Sequence, residues 1–207
     1  MISRAIAVAV CLSMFWSASA SAGGGFLGID HRWNNDAHGI YNRDVQNFVL
    51  YSLASGTVLG AVWLGGESRL GKTFWQSLDS QVLGAASAQS MKMIFTRARP
   101  SQGNDPNAWF QGGSHNSFPS GEVTEVSAVI TPFVFEYHKD YPAVYLLELL
   151  PIYDGVARMK SQAHWQTDVL AGWALGTLTG WYAHSRDNPL ILNVLPHGFM
   201  VGIKKSF

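Results

Sequence analysis

Apolar positions dominate residues 48–66, FVLYSLASGTVLGAVWLGG, and no charged side chain interrupts them. This length predicts a helix able to cross a membrane. Ser52, Ser55, Thr57 and the glycines fit a buried central helix equally well. From Lys72 to Arg97 polar and apolar residues interleave at helical spacing, with Leu78, Val82, Ala85 and Ala86 on one expected face. Further helices are expected over 121–137, over 142–153, and from near His164 to about His184, where Asp187-Asn188-Pro189 closes the last. Residues 23–44 are rich in Gly, Asn and Asp and read as an irregular arm. Residues 100–119 read as a loop, and 190–207 as a partly extended tail. No β-alternation or repeat competes elsewhere. The expected fold is all-α, a bundle of five or six helices.

The 207 residues suit one domain large enough to bury a core. A formal net charge of zero gives no reason to expect nucleic acid as partner. Only 14% of residues are charged, which hints at a membrane or a large core. The N-terminus accounts for part of this. A short basic start, MISR, precedes an apolar run, AIAVAVCLSMFW, and small-residue cleavage sites ending at Ala20 or Ala22. Residues 1–22 are therefore expected to be a secretory signal peptide, with 23–207 the functional domain. Cys11 lies in that segment, so the exported chain would hold no thiol. The expected location is periplasmic or secreted, with membrane association.

Three clusters carry candidate chemistry. Lys92 and Arg99 stand seven residues apart, two helical turns, before Pro100; on one helix they would reach the same side. Cations so placed suit a multi-oxygen anion such as phosphate. Pro119-Ser120-Gly121 opens a helix whose first amides lack internal partners and attract anions. Ser120 can cap or donate, and Gly121 lets an anion approach the backbone. In Arg158-Met-Lys-Ser-Gln-Ala-His164-Trp-Gln-Thr-Asp168, His164 and Asp168 are at i and i+4. On a helix, the carboxylate would accept from one imidazole nitrogen and leave the other as nucleophile or base.

The order Lys-x6-Arg-Pro, Pro-Ser-Gly, then Arg-x5-His-x3-Asp, spanning residues 92–168, resembles the three-part signature of the type 2 phosphatidic acid phosphatase superfamily. That group includes bacterial acid phosphatases, lipid phosphate phosphatases and vanadium haloperoxidases. The resemblance implies a helical bundle, no metal requirement and no cofactor, a phosphohistidine intermediate, and inhibition by vanadate as a phosphate mimic. Carried over by position, His164 is the nucleophile and Asp168 its orienter. Lys92, Arg99, Arg158, Ser120 and the Gly121 amide hold the phosphate. The implied function is an exported phosphatase acting on phosphate monoesters or pyrophosphates. The implied substrate is a phosphorylated small molecule or lipid phosphate; the apolar segments 48–66 and 169–183 favour the lipid, in a membrane or beside its surface.

Two positions depart from the signature. Ala157 stands where serine is usual. Glu122 stands where the second motif has a histidine that protonates the leaving group. A glutamic acid donates a proton only if burial raises its pKa, and neighbouring cations push the other way. Three consequences are open. The chain works at low pH with Glu122 as acid, or its leaving group needs no acid, or it binds a phosphate or lipid headgroup with weakened turnover. Vanadium-dependent halide oxidation is a further alternative. His115 is a candidate substitute acid, Glu125 a neighbour of Glu122 at i+3, and Trp165 a candidate wall or packing residue. His31, His38, His138, His184 and His197 show no ligand spacing.

Overall fold

A computed structural model describes residues 24, 25 and 27–191 of the chain. The expected signal peptide, with Cys11, lies outside these residues, as does the tail from 192 with His197. Five α-helices form among the described residues: α1 (Arg43–Leu64), α2 (Arg69–Phe95), α3 (Gly121–Tyr137), α4 (Leu149–Lys160) and α5 (Gln166–His184). Pairing of the β type is confined there to one antiparallel bridge, Gly24 with Asp30. The fold is all-α, as the sequence pattern requires.

Consecutive helices alternate in direction. The N-termini of α1, α3 and α5 and the C-termini of α2 and α4 therefore meet at one end of the bundle. Cross-contacts at that end link Arg43 to Glu122, Arg158 to Gln46, and Lys92 to the Pro119 carbonyl.

Helix α3 is the centre, with Val123, Val126, Ala128, Val129 and Ile130 all buried. Each larger aliphatic side chain there contributes about 1.5–3 kcal/mol of burial energy. Helix α5 packs on α3 through Gly172, Gly176 and Gly180, spaced one turn apart. A Cβ at Gly176 would stand 2.3 Å from the Thr124 carbonyl, and one at Gly180 would stand 2.4 Å from Thr131 Cβ. Only the missing side chains allow the two backbones this close.

Helix α2 buries a different face from the expected one. Val82 and Ala86 are exposed, while Thr73, Gln76, Ser77, Ser80, Gly84 and Ala88 point inward. Small and hydroxylated residues win because they permit close approach and still bond across it. Ser77 donates to the Val129 carbonyl at 2.8 Å, and Ser80 to Thr179 at 3.2 Å.

Helix α1 is not the central buried helix that its composition allowed. Only 11% of its apolar window is covered. Phe48, Tyr51, Leu59, Val62 and Trp63 face outward. By length and composition it could cross a membrane.

The fourth helix also starts later than expected. A 3₁₀ turn occupies Pro142–Glu148, and α4 then continues past residue 153 to Lys160, carrying Arg158. Pro151 falls in the first turn, where its missing N–H costs nothing.

Candidate active site

The site forms where the long loop after α2 returns to the bundle mouth. Helix α2 stops at Phe95 because Thr96 turns left-handed at φ 34°. Arg99 is thus beyond the helix, and the expected two-turn alignment with Lys92 does not exist. The loop brings them together instead. Lys92 Nζ donates to the carbonyls of Asn116 (2.8 Å) and Pro119 (2.7 Å). Arg99 Nε and Nη2 donate to Asn116 Oδ1 at 3.1 and 2.9 Å. Phe95, Trp109 and Phe118 pin the loop edge-to-face, with ring centroids 5.1–6.0 Å apart.

Beneath the loop lies a buried ionic cluster. Arg97, Asp30 and Asp168 have no exposed side-chain surface. Arg97 donates from Nη2 to Asp30 Oδ2 (2.7 Å) and the Pro106 carbonyl (2.6 Å). It donates from Nη1 to Asp168 Oδ1 (2.6 Å) and Thr167 Oγ1 (2.8 Å), and from Nε to the Pro106 carbonyl (3.1 Å). Its guanidinium carbon sits 4.4 Å from the Trp109 ring centroid. Every donor is satisfied, which is what makes a buried guanidinium tolerable.

His164 is not on α5, which begins at Gln166. The reason is local: Asp168 caps the helix by accepting from the Trp165 amide at 2.9 Å. The i,i+4 pair therefore does not form along a helical face. His164 Nδ1 lies 3.8 Å from Asp168 Oδ2 but 2.7 Å from the Ser117 carbonyl. A carbonyl only accepts, so Nδ1 carries the proton and Nε2 keeps its lone pair. Asp168 acts on the imidazole at one remove, since its Oδ2 accepts from Ser117 Oγ at 2.5 Å. Burial favours the neutral acid at Asp168, but the imidazole of His164, Arg97 and Ser117 outweigh it and hold the carboxyl below the ordinary range. His164 goes the other way. Burial, reinforced by the charges of Lys92 and Arg158, pushes its pKa down to about 4, so the ring is neutral.

Around this imidazole stand the candidate anion ligands. The Ser120 side chain is fully buried, makes no cap, and has no hydrogen-bond partner for Oγ among the described residues. Its amide donates to the Asp168 carbonyl at 2.9 Å, joining the start of α3 to the start of α5. The next amides, from Gly121 on, lie in the first turn of α3 and have no intrahelical acceptor. A Cβ at Gly121 would stand 3.4 Å from Lys92 Cε, so a side chain there would crowd the lysine. Lys92 keeps one of its three N–H groups uncommitted. Its pKa is lowered to about 8, by burial first and then by Arg99. Arg158 is 7% exposed; Nη1 donates to Gln46 Oε1 at 3.0 Å, and Nε has no partner among the described residues. The ends of α2, α3 and α4 thus bring uncommitted donors to one neutral histidine, an arrangement suited to a phosphoryl group.

The sequence pattern of the PAP2 superfamily matches residues 75–189, more than half of the chain. The chain belongs to the PAP2 superfamily. It is also 32% identical over 114 residues to a lipid A 1-phosphatase of Porphyromonas gingivalis. That stretch is 53% of this chain and 23% of the relative, so the chain spans about a quarter of that protein's length. No solved structure matches the chain.

At the position where the superfamily signature has histidine, Glu122 is bound on both sides. Arg43 Nη1 donates to Oε2 at 2.7 Å, and Arg158 Nη1 stands 3.5 Å from Oε1. Burial would raise its pKa, but the bond from Arg43 and the charge of Arg158 outweigh it, and the carboxyl is held below its ordinary value. Glu122 is therefore ionised at neutral pH, the wrong state for a lone proton donor. Glu125, a turn further on, is half-buried, and burial and then Glu122 raise its carboxyl. His115 bonds its own turn, Nδ1 to the Gly112 carbonyl at 2.9 Å. Trp165 packs, with Nε1 donating to the Ala98 carbonyl at 2.8 Å.

Sequence reading missed Arg43, Gln46, Asp30, Arg97 and Ser117. Their side-chain partners in the site lie 47 to 137 residues away, so no local spacing signals them. Among the described residues no three His, Cys, Asp or Glu side chains gather into a group that could hold a metal ion.

Proposed function

We propose that the chain hydrolyses phosphate monoesters, lipid phosphates foremost, through a phosphohistidine formed on His164. The observation that carries this reading is the 2.7 Å bond from His164 Nδ1 to the Ser117 carbonyl, which leaves Nε2 as the free nucleophilic nitrogen under the charges of Lys92 and Arg158. In the first step Nε2 attacks phosphorus and the ester P–O bond breaks. The equatorial oxygens lie against Lys92, Arg99, Arg158, Ser120 Oγ and the first amides of α3. In the second step water attacks phosphorus, the P–N bond breaks, and phosphate leaves. Nδ1 keeps its proton on Ser117 throughout, while Asp168 fixes Ser117 and the turn that bears His164. Vanadate, able to take five oxygen ligands, is expected to inhibit.

Three observations support a lipid substrate. The Porphyromonas gingivalis relative is a lipid A 1-phosphatase. Helix α1 presents an outward apolar face suited to a lipid surface. A groove of about 650 Å³, lined by Leu27, Phe95, Trp109, Phe110, Phe118 and Leu170, shares Phe118 with the loop that forms the site. Export through residues 1–22 is part of the same reading.

The test is phosphate release from lipid and soluble monoesters, with acid-quench trapping of labelled enzyme. Wild type is expected to trap label on histidine, and His164→Ala to lose both label and release. Full release by His164→Ala overturns the mechanism. A second reading, binding without turnover, is favoured by the Arg43–Glu122–Arg158 pairing. Vanadate binding with no release from any substrate would select it.

A further inference from the structure

Asp154 lies on α4 one turn before Arg158 and is 3% exposed. Its Oδ2 has no hydrogen-bond partner among the described residues. A carboxylate so placed lacks the solvation or hydrogen bonds that make burial of a charge tolerable. Its turn packs against the start of α5 and reaches the start of α3: a Cβ on the adjacent Gly155 would meet Val169 Cγ1 of α5 at 2.6 Å and Val123 Cγ2 of α3 at 3.9 Å. Val123 is the neighbour of Glu122. A buried carboxyl and a partly buried one thus stand near the bundle mouth in opposite surroundings. Glu122 takes the guanidinium contacts of Arg43 and Arg158, and Asp154 takes none. The charged groups acting on Asp154 are Glu122 and Glu125 from α3, Arg43 from α1, and Arg158 from its own helix.

We propose that Asp154 stores the proton needed by the leaving group and delivers it through Glu122, replacing the histidine that the superfamily signature has at position 122. The proposal rests on the phosphatase reading above. Carboxyl pairs whose surroundings push them apart in acidity divide in this way into a donor and a charged partner. Consistent with that division, burial and then the Glu122 charge raise Asp154 to about 7.

The steps balance. As His164 Nε2 bonds to phosphorus and the ester P–O bond breaks, a proton passes from Asp154 to the Glu122 carboxylate and on from it to the leaving oxygen. Asp154 is then a carboxylate, and the alcohol departs neutral. When water attacks the phosphohistidine and the P–N bond breaks, the released proton returns through Glu122 to Asp154. Glu122 touches the leaving group; Asp154 is a relay behind it.

The experiment compares p-nitrophenyl phosphate, whose leaving group needs no acid, with a simple alkyl phosphate, in wild type and Asp154→Asn. The expected result is a fall of about 10²-fold in kcat on the alkyl ester. On the nitrophenyl ester the change stays within about threefold. The limb of the alkyl pH profile near pH 7 also disappears. Equal losses on both esters, or none on either, overturn the relay. If wild type hydrolyses neither ester, the phosphatase reading fails, and the relay with it. Should Asp154→Asn not fold, carbon-13 NMR of aspartate carboxyls in wild type decides. One aspartate titrating near pH 7 and shifted by Glu122→Gln supports the relay, and its absence overturns it.

Discussion

Arg43, the first residue of α1, grips Glu122 in the first turn of α3 with a 2.7 Å ion pair. The same carboxylate faces Arg158 at 3.5 Å. A negative side chain therefore stands against Arg158, a cation that the proposed phosphate site would use. Glu122→Gln keeps the shape and removes that competition. Inorganic phosphate is expected to bind about tenfold tighter, equivalent to about 1.4 kcal/mol, while kcat on an alkyl phosphate falls. Product-inhibition kinetics measure both. Unchanged phosphate affinity would mean that Glu122 stays clear of the anion.

Arg97 is expected to be the least replaceable residue of the site, though it reaches no substrate. Arg97→Met would leave Asp30 and Asp168 buried without their shared cation, at a cost of about 3–5 kcal/mol. Arg97→Lys should rescue little, because a point charge cannot fill a planar fork of five donors. Urea denaturation of both variants checks this.

Close packing between α3 and α5 gives a third expectation. Gly176→Leu would drive a side chain into the Thr124 carbonyl and Ser127. A loss of about 3 kcal/mol is expected, lowering Tm by roughly 6–12 °C. Gly56 on α1 is the control, since a Cβ there meets nothing within 4 Å. Gly56→Ala should be neutral or stabilising by up to about 1 kcal/mol. Calorimetry separates the two.

Acid stability should expose His164 and Asp154 as opposing titrations. His164 is depressed from 6.5 to about 4, so the unfolded chain binds the extra proton in that range and stability rises with pH. Asp154 is raised from 3.8 to about 7, so the folded chain binds the extra proton and stability falls as pH rises through that range. Between about pH 4 and 6.5 the two slopes offset. Asp154→Asn should therefore lose stability on acidification more steeply than wild type, and His164→Asn should gain it. Denaturation midpoints from pH 4 to 8 give the slopes; parallel curves for all three proteins would contradict this pairing.

The sequence showed some of this and concealed the rest for identifiable reasons. The bounds of α3 and the loop after α2 were legible from Pro119-Ser120-Gly121 and from the loss of periodicity. The convergence of Lys92, Arg99, Arg158 and His164 was expected from motif order, but the supporting geometry was not. Helical phase failed for Arg99 because Thr96 ends α2 early, and for His164 because Asp168 caps α5 after it. The buried face of α2 escaped because a search for apolar periodicity passes over Ser, Thr and Gly, which close packing selects. Asp30 and Arg43 escaped because nothing near them in the chain hints at partners 67 and 79 residues away.

The glycines of α5 do more than let two helices touch. Because Gly172, Gly176 and Gly180 mesh with successive turns of α3, they act as a ratchet that admits one axial setting. Ser120 and Asp168 open those same two helices. The spacing between the start of α3 and the turn that bears His164 is thus calibrated along a rail reaching about 21 Å from the start of α5. A variant at its far end, Gly180, would detune the chemistry without touching it.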